Sequence, residues 1–322
     1  MSRDAVVEHK LLMTFLADKH RLIADVIGNN KVSYIDVPLY RNVGDLLIMQ
    51  GALRFFERYE IKVNYKANWF NVASSCISED DVVVFQGGGN LGDLYGGCQA
   101  IREELIPKLT KQRVVILPQS IHFESEVNYQ RCCELFRQHP DLHVFVRDQP
   151  SFELAQNMTK NVYLMPDMAH QLYPIIRRSK PERKLLALMR IDKEALQDRS
   201  EQQADRVTDW NVLFNNSNKV LILTMRVLRL SAMLGVNRLP GSLGTSLGIL
   251  MANTLVSRAI RLFSDYQYVV TDRLHGHILS CLLDIPHQVI DNSYGKNSRY
   301  IALWTGSSDI VKTSFTERLT SD

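Results

Sequence analysis

The sequence predicts an α/β protein built as two halves of comparable size with a cleft between them. Three observations predict it. Short β-branched runs alternate with helical patterns, a polar, proline-bearing stretch at Tyr173–Arg183 interrupts the alternation, and the alternation then restarts. Strands alternating with crossover helices form parallel sheets covered by helices on both faces.

At the amino terminus, Met1–Ile27 mixes Asp4, Glu8, His9, Lys10, Asp18, Lys19 and Arg21 with apolar residues at helical spacing. This is an amphipathic helix rather than a signal peptide, whose apolar region is unbroken. Strands are expected at Val32–Val37, Ile61–Tyr65, Val82–Gln86, Val114–Leu117, Val144–Val146 and Val162–Met165, each rich in β-branched residues. Helices are expected at Asp45–Arg58, Gln99–Leu109 and Tyr129–Gln138. The first domain is placed at 1–175 and the second at 183–322, with Tyr173–Arg183 as the junction. In the second, Leu185–Met189, Val220–Thr224, Tyr268–Thr271 and a last run, Val289–Asp291, are expected strands, and Ser246–Phe263 a helix. The order within Asp192–Leu243 is not legible.

The 322 residues, 45% hydrophobic and 23% charged, have the balance of a globular protein able to bury a large core. A formal charge of +3 without a basic tail or arginine stripe gives no reason to expect nucleic acid. Five cysteines, an odd number without a C-x-x-C pair, argue against both a disulfide framework and a zinc site, and fit the cytoplasm. No run approaches the ~20 apolar residues of a membrane span; the most apolar stretch, Val220–Val236, carries Arg226 and Arg229.

Ligands of open α/β sheets bind beyond the carboxyl ends of strands, so the residues following each strand are the candidates. After the first strand comes Tyr40-Arg41-Asn42-Val43-Gly44-Asp45, where Gly44 permits a tight turn. Asp45 is either a helix cap or a catalytic acid, and the two uses are compatible. After the third strand, Gln86-Gly87-Gly88-Gly89-Asn90-Leu91-Gly92-Asp93 contains G-x-G-x-x-G at Gly87, Gly89 and Gly92. The dinucleotide reading needs an acid at the end of the next strand, and Leu117-Pro118-Gln119-Ser120 offers none. A phosphate or sugar cradle at Gly87, Gly88, Gly89 and Asn90, or a plain structural turn, remains. Arg147, after Val144-Phe145-Val146, is placed either to grip a carboxylate or phosphate or to pair with a nearby acid. Most informative is Thr271-Asp272-Arg273-Leu274-His275-Gly276-His277, where charged and titratable groups crowd the end of an apolar strand.

That last stretch, with Leu282-Leu283-Asp284-Ile285-Pro286 and Asp291-Asn292-Ser293-Tyr294-Gly295-Lys296, resembles the carboxyl-terminal signature of polysaccharide pyruvyl transferases. Arg41–Asp45, Gln86–Asn90, Arg147-Asp148 with Ser151, and Arg190-x-Asp192-x-Glu194 resemble the family's other landmarks in order, over Ser33–Trp304. The resemblance implies two Rossmann-like domains in a GT-B-like arrangement, with phosphoenolpyruvate as donor in the cleft. It places the donor on Arg147, Arg273, Leu274 and His275, and carries the acid of the first motif to Asp45. Arg190, Asp192, Glu194 and Lys296 are candidate acceptor contacts.

A doubly anionic donor suits two arginines from opposite halves, and His275 is the natural acid to protonate its methylene carbon. Asp45 or Asp272 is the base that receives the sugar hydroxyl's proton. The scheme calls for no metal and no cofactor beyond the donor substrate. Its partner is a sugar acceptor: a glycan repeat unit, a nucleotide sugar or a lipid-linked saccharide. A lipid-linked acceptor admits peripheral association with the inner face of the cytoplasmic membrane, although packing of the first helix on the protein's own core is the simpler reading. The rival readings are a GT-B-type glycosyltransferase, with Trp210 or Tyr268 stacking on a nucleotide base, and a catalytically silent sugar- or anion-binding protein.

Overall fold

The computed structural model describes residues 3–39, 42–190, 204–213, 241–291 and 295–314, together with the single residues 223, 227 and 230. The amino-terminal segment forms two helices, α1 (Arg3–Lys19) and α2 (Arg21–Ile27), where one was expected. Between them the His20 ring is fully buried, with Nε2 3.0 Å from Pro166 O. One face of α1 buries Ala5, His9, Met13, Leu16 and Ala17 in the protein's own interior, while Val7, Leu11 and Phe15 are exposed.

The first sheet contains β1 (Val32–Ile35), β2 (Val63–Ala67), β3 (Val82–Phe85), β4 (Gly88–Gly92), β5 (Val114–His122), β6 (Leu142–Val146) and β7 (Asn161–Leu164). Helices α3 (Val43–Arg58), α4 (Gly96–Leu105), α5 (Glu126–Arg137) and α6 (Gln149–Ala155) connect them. The second sheet contains β8 (Arg183–Leu188), β9 (Arg206–Thr208), β10 (Tyr266–Thr271), β11 (His287–Val289) and β12 (Val311–Thr313). Its described helices are α7 (Gly241–Ser264), α8 (Leu274–Leu282) and α9 (Lys296–Trp304). Among the described residues, all strand pairings are parallel. Runs such as Val82–Phe85 and Leu142–Val146 are buried at every position, as strands covered on both faces must be.

The first sheet runs β2-β1-β3-β5-β6-β7, with β4 beside the far end of β5; the second runs β12-β11-β10-β8-β9. Both wind the same way. From β1 the chain adds β2 on one side and crosses to β3 on the other; from β8 it adds β9 and crosses to β10. Each sheet therefore has a switch point, β1/β3 and β8/β10, where diverging connections open a crevice at the carboxyl ends. The halves also share one apolar cluster, from Tyr34, Val84 and Phe145 to Leu186, Val269 and Ile278. Trp304 Nε1 donates across to Arg147 O at 2.8 Å.

Three expectations are corrected. Leu223, the described residue within the expected strand Val220–Thr224, is helical. Val289–Asp291 is not the last strand, since β12 follows; three-residue strands such as β9 and β12 are too short to show a period. The glycine run forms β4 from Gly88 to Gly92, pressed so closely on β5 that a Cβ on Gly92 would lie 1.7 Å from His122 O, and one on Gly87, just before the strand, 2.8 Å from Pro118 O. Backbone contact demands those glycines.

Gly51 marks another tight approach: a Cβ there would lie 2.0 Å from Met168 O, in the short 3-10 helix Met168–Leu172 that packs on α3. Gly51→Ala is expected to destabilise the protein by about 1–3 kcal/mol, as overpacking does. A melting temperature equal to the parent's would show that the two helices can part without cost.

Candidate active site

The two switch points face one another across a cleft of about 470 Å³. From the first half it is lined by Asn42 and Asp45, by Gly89 and Asn90, by Trp69, by Tyr95–Cys98 and by Arg147. From the second come Arg190, Trp210, Arg273, Leu274, His275, Lys296 and Asn297. Four helices thus begin at its wall: α3, α4, α8 and α9. Each helix amino terminus carries partial positive charge and unsatisfied N–H groups, so the arrangement is built for an anion. The starts of α4 and α8 have no side-chain cap.

Two of the cleft arginines, Arg147 and Arg273, are each aimed by a buried aspartate from their own half. Arg147, 4% exposed, donates from Nη1 to Asp167 at 2.5 Å and from Nη2 to Ser120 Oγ at 3.1 Å. Its Nε is buried without a hydrogen-bond partner. Gly89 keeps the guanidinium uncovered, since a Cβ there would lie 3.5 Å from Nη2. Arg273 makes a bidentate pair with Asp209, Nε to Oδ1 at 2.9 Å and Nη2 to Oδ2 at 2.5 Å. Burial by itself pushes the Asp167 carboxyl up, but the His275 imidazole, the Arg147 guanidinium and the Ala169 N–H outweigh it and hold the group well below the usual carboxylate range.

His275 sits in the first turn of α8, 14% exposed, with Nε2 3.4 Å from Asp167 Oδ2. Its ring fits because Gly44 has no side chain: a Cβ there would lie 2.6 Å from His275 Nδ1. Gly44 is helical, within α3, and Asn42 caps that helix by accepting from the Gly44 N–H at 3.0 Å. Asp45 lines the cleft one residue further on.

The structure also separates residues that sequence spacing grouped. Arg273 is the N-cap of α8, so His275 and His277 belong to a helix rather than to the end of the strand. His277 turns into the core, fully buried. Its Nδ1 lies 2.7 Å from His287 Nε2 and its Nε2 2.9 Å from Thr305 Oγ1, while His287 Nδ1 meets Ile285 O at 2.8 Å. With Cys281, these two histidines have ligand-type atoms within 4.8 Å, but every ring nitrogen already has a hydrogen-bond partner. Asp272 does not line the cleft; its carboxylate accepts the Arg190 N–H at 2.8 Å and ties the exits of β8 and β10 together. Of the two carboxylates expected as the base, Asp45 is the one that lines the cleft. Gly87 and Gly88 also lie off the cleft wall, which only Gly89 and Asn90 of that run reach.

Beneath β4, Asn90 is held in a buried network. Arg102 donates to its side chain at 2.8 Å and to Asp36 at 2.7 Å, and Gln119 donates to Asn90 Oδ1 at 2.9 Å. Arg190, Leu274 and Lys296 line the cleft. Tyr40, Arg41, Asp192 and Glu194 lie outside the described residues. Trp210 is present, but its ring is stacked on Phe263 with centroids 5.8 Å apart, so a core residue occupies one face. Tyr268, near the start of β10, does not line the cleft. Sequence reading missed Asp167 and Asp209. Both sit shortly after a strand, the position that flagged Arg147 and Arg273, but β9 could not be recognised.

Fold and cleft together define an α/β protein with an arginine-lined cleft between two parallel sheets. Residues 42–294 match the family model for polysaccharide pyruvyl transferase. The Bacillus subtilis (strain 168) protein named "Putative pyruvyl transferase EpsO" is 38% identical over 302 residues, covering 92% of this chain and 93% of that protein. "Pyruvyl transferase 1" of Schizosaccharomyces pombe is 29% identical over 295 residues, covering 86% of this chain and 70% of that one. A crystal structure of a functionally uncharacterised Klebsiella pneumoniae protein superimposes with a TM-score of 0.58 at 22% identity, covering 92% of this chain and 96% of the other, a likeness of fold. The chain belongs to the polysaccharide pyruvyl transferase family and is a transferase. Among the described residues, no helix is long and apolar enough to cross a membrane.

Proposed function

We propose that this protein transfers the enolpyruvyl carbons of phosphoenolpyruvate to a pair of sugar hydroxyls, forming a pyruvate ketal on a cell-surface polysaccharide precursor in the cytoplasm. The observation that carries the reading is the convergence of four helix amino termini and two aspartate-held arginines, one from each sheet, around His275. The two halves act as a GT-B-like pair, with Arg147 and Arg273 gripping the donor's carboxylate and phosphate. His275 gives a proton to the methylene carbon, which becomes a methyl group, and the adjacent carbon acquires oxocarbenium character. One sugar hydroxyl attacks that carbon and gives up its proton to Asp45. Phosphate leaves with the bonding electrons of its C–O bond, and the second hydroxyl adds to close the ketal, its proton passing to the released phosphate. Donor plus diol become ketal plus inorganic phosphate. Arg190 and Lys296 face the acceptor side.

The test is release of inorganic phosphate from phosphoenolpyruvate in the presence of saccharides bearing a free hydroxyl pair, with ketal formation followed by mass. Arg273→Lys is expected to raise the apparent KM for phosphoenolpyruvate by at least about tenfold, because a point-charge ammonium cannot hold Asp209 by two bonds and still present a donor to the substrate. An unchanged KM would remove Arg273 from the donor grip. Consumption of a nucleotide sugar without phosphate release would make the protein a glycosyltransferase, and saccharide binding without either reaction a binding protein.

A further inference from the structure

We propose that Asp167 is the positioning residue of the proton donor: it clamps His275 by Nε2, leaves Nδ1 as the working nitrogen, and joins the acid to the donor-gripping Arg147 in one unit. The inference rests on the reading of His275 as the acid.

Asp167 is fully buried, and a carboxylate survives there only when its oxygens are satisfied. Oδ1 accepts the Ala169 N–H at 2.9 Å, which fixes the side chain at the start of the short helix. Its own backbone N–H donates to the Tyr300 hydroxyl at 3.0 Å, which fixes the backbone from the opposite half. Oδ2 is left to face both Arg147 Nη1 at 2.5 Å and His275 Nε2 at 3.4 Å. The second distance is longer than a closed hydrogen bond, as catalytic contacts often are before substrate binds.

His275 Nε2 is buried and has no closer partner. With that nitrogen sealed against Asp167, the proton transferred to substrate leaves from Nδ1, the nitrogen beside Gly44. A carboxylate behind Nε2 selects the Nε2–H form once the proton has gone, the division of labour that a buried carboxylate performs behind a catalytic histidine. Because the same oxygen holds Arg147, movement of the donor grip moves the acid with it.

The first measurement needs no variant and no turnover. In the parent protein carrying ¹⁵N-histidine, neutral His275 is expected as the Nε2–H tautomer; an Nδ1–H tautomer overturns the inference. In Asp167→Asn, which keeps the size and the acceptor for Ala169, that preference is expected to be lost. The variant's kcat is expected to fall about ten- to a hundredfold, the usual cost of losing a residue that orients a reacting group. Affinity for phosphoenolpyruvate should hold or tighten, since Arg147 keeps its charge and loses a competing anion. A merely structural role predicts weakened donor binding with kcat little changed, and that pattern overturns the proposal. If the parent releases no phosphate from phosphoenolpyruvate, the proposed function fails while the tautomer still tests the clamp.

Discussion

His275→Gln is expected to fold, bind phosphoenolpyruvate and turn over about two to four orders of magnitude more slowly, the loss that accompanies removal of a general acid. Glutamine keeps a similar size and an N–H but cannot deliver a proton near neutrality. The ring it replaces is only 14% exposed, so the change adds little new surface. His277→Gln is the informative companion, although not as an inert control. His277 is buried and joined to His287 and Thr305, so its replacement is expected to lower the melting temperature while the remaining folded protein turns over near the parent rate. Steady-state kinetics corrected for folded fraction separate the two. Parent-like turnover by His275→Gln would remove it as the acid, and a slow but fully stable His277→Gln would place the acid two residues further on.

Acidification from pH 7 to pH 5 is expected to destabilise the fold strongly, because buried neutral histidines gain protons only on unfolding. Burial, opposed only in part by the Pro166 carbonyl and Asp167, lowers His20 to about 4. Burial likewise lowers His287 to about 4 and His170 to about 3. In the unfolded chain these rings titrate near 6.5. Between about pH 6.5 and pH 4 the unfolded state therefore binds more protons than the folded one, and stability falls as pH falls. At pH 5 each ring costs roughly 2 kcal/mol, a large share of a typical 5–15 kcal/mol total. Asp167, whose folded value is depressed, acts in the opposite region: its contribution is complete above about 4 and is lost only below that. Denaturant midpoints at pH 7 and pH 5 check this, and a flat profile would mean the buried rings are not held neutral. His20→Gln should flatten the dependence.

The first sheet was largely legible because its strands are covered on both faces, and such strands announce themselves as β-branched runs. All six expected strands of that half appear, whereas the glycine strand β4 was read as a loop. Glycine carries no side-chain period, so only the closeness of His122 O reveals what Gly92 is for. In the second half the short strands β9 and β12 and the helix α9 went unseen. Three-residue strands owe their existence to the neighbours they pair with.

At the site, the residue types at strand ends were determined by sequence alone: Asp45, Arg147, Arg273 and His275 were marked by the cost of placing charge beside an apolar run. Which groups they meet was decided only by the tertiary structure. Arg147 finds Asp167 20 residues away, and Arg273 finds Asp209 64 residues away. His275 fits because Gly44, on another helix, lacks a side chain. The turn after β10 shows the same division. Its residues were legible, but the onset of α8 at Leu274 sends His275 to the cleft and His277 to the core. A local period can identify a strand or a helix, but a buried charge needs a partner in space, and only packing brings that partner within reach.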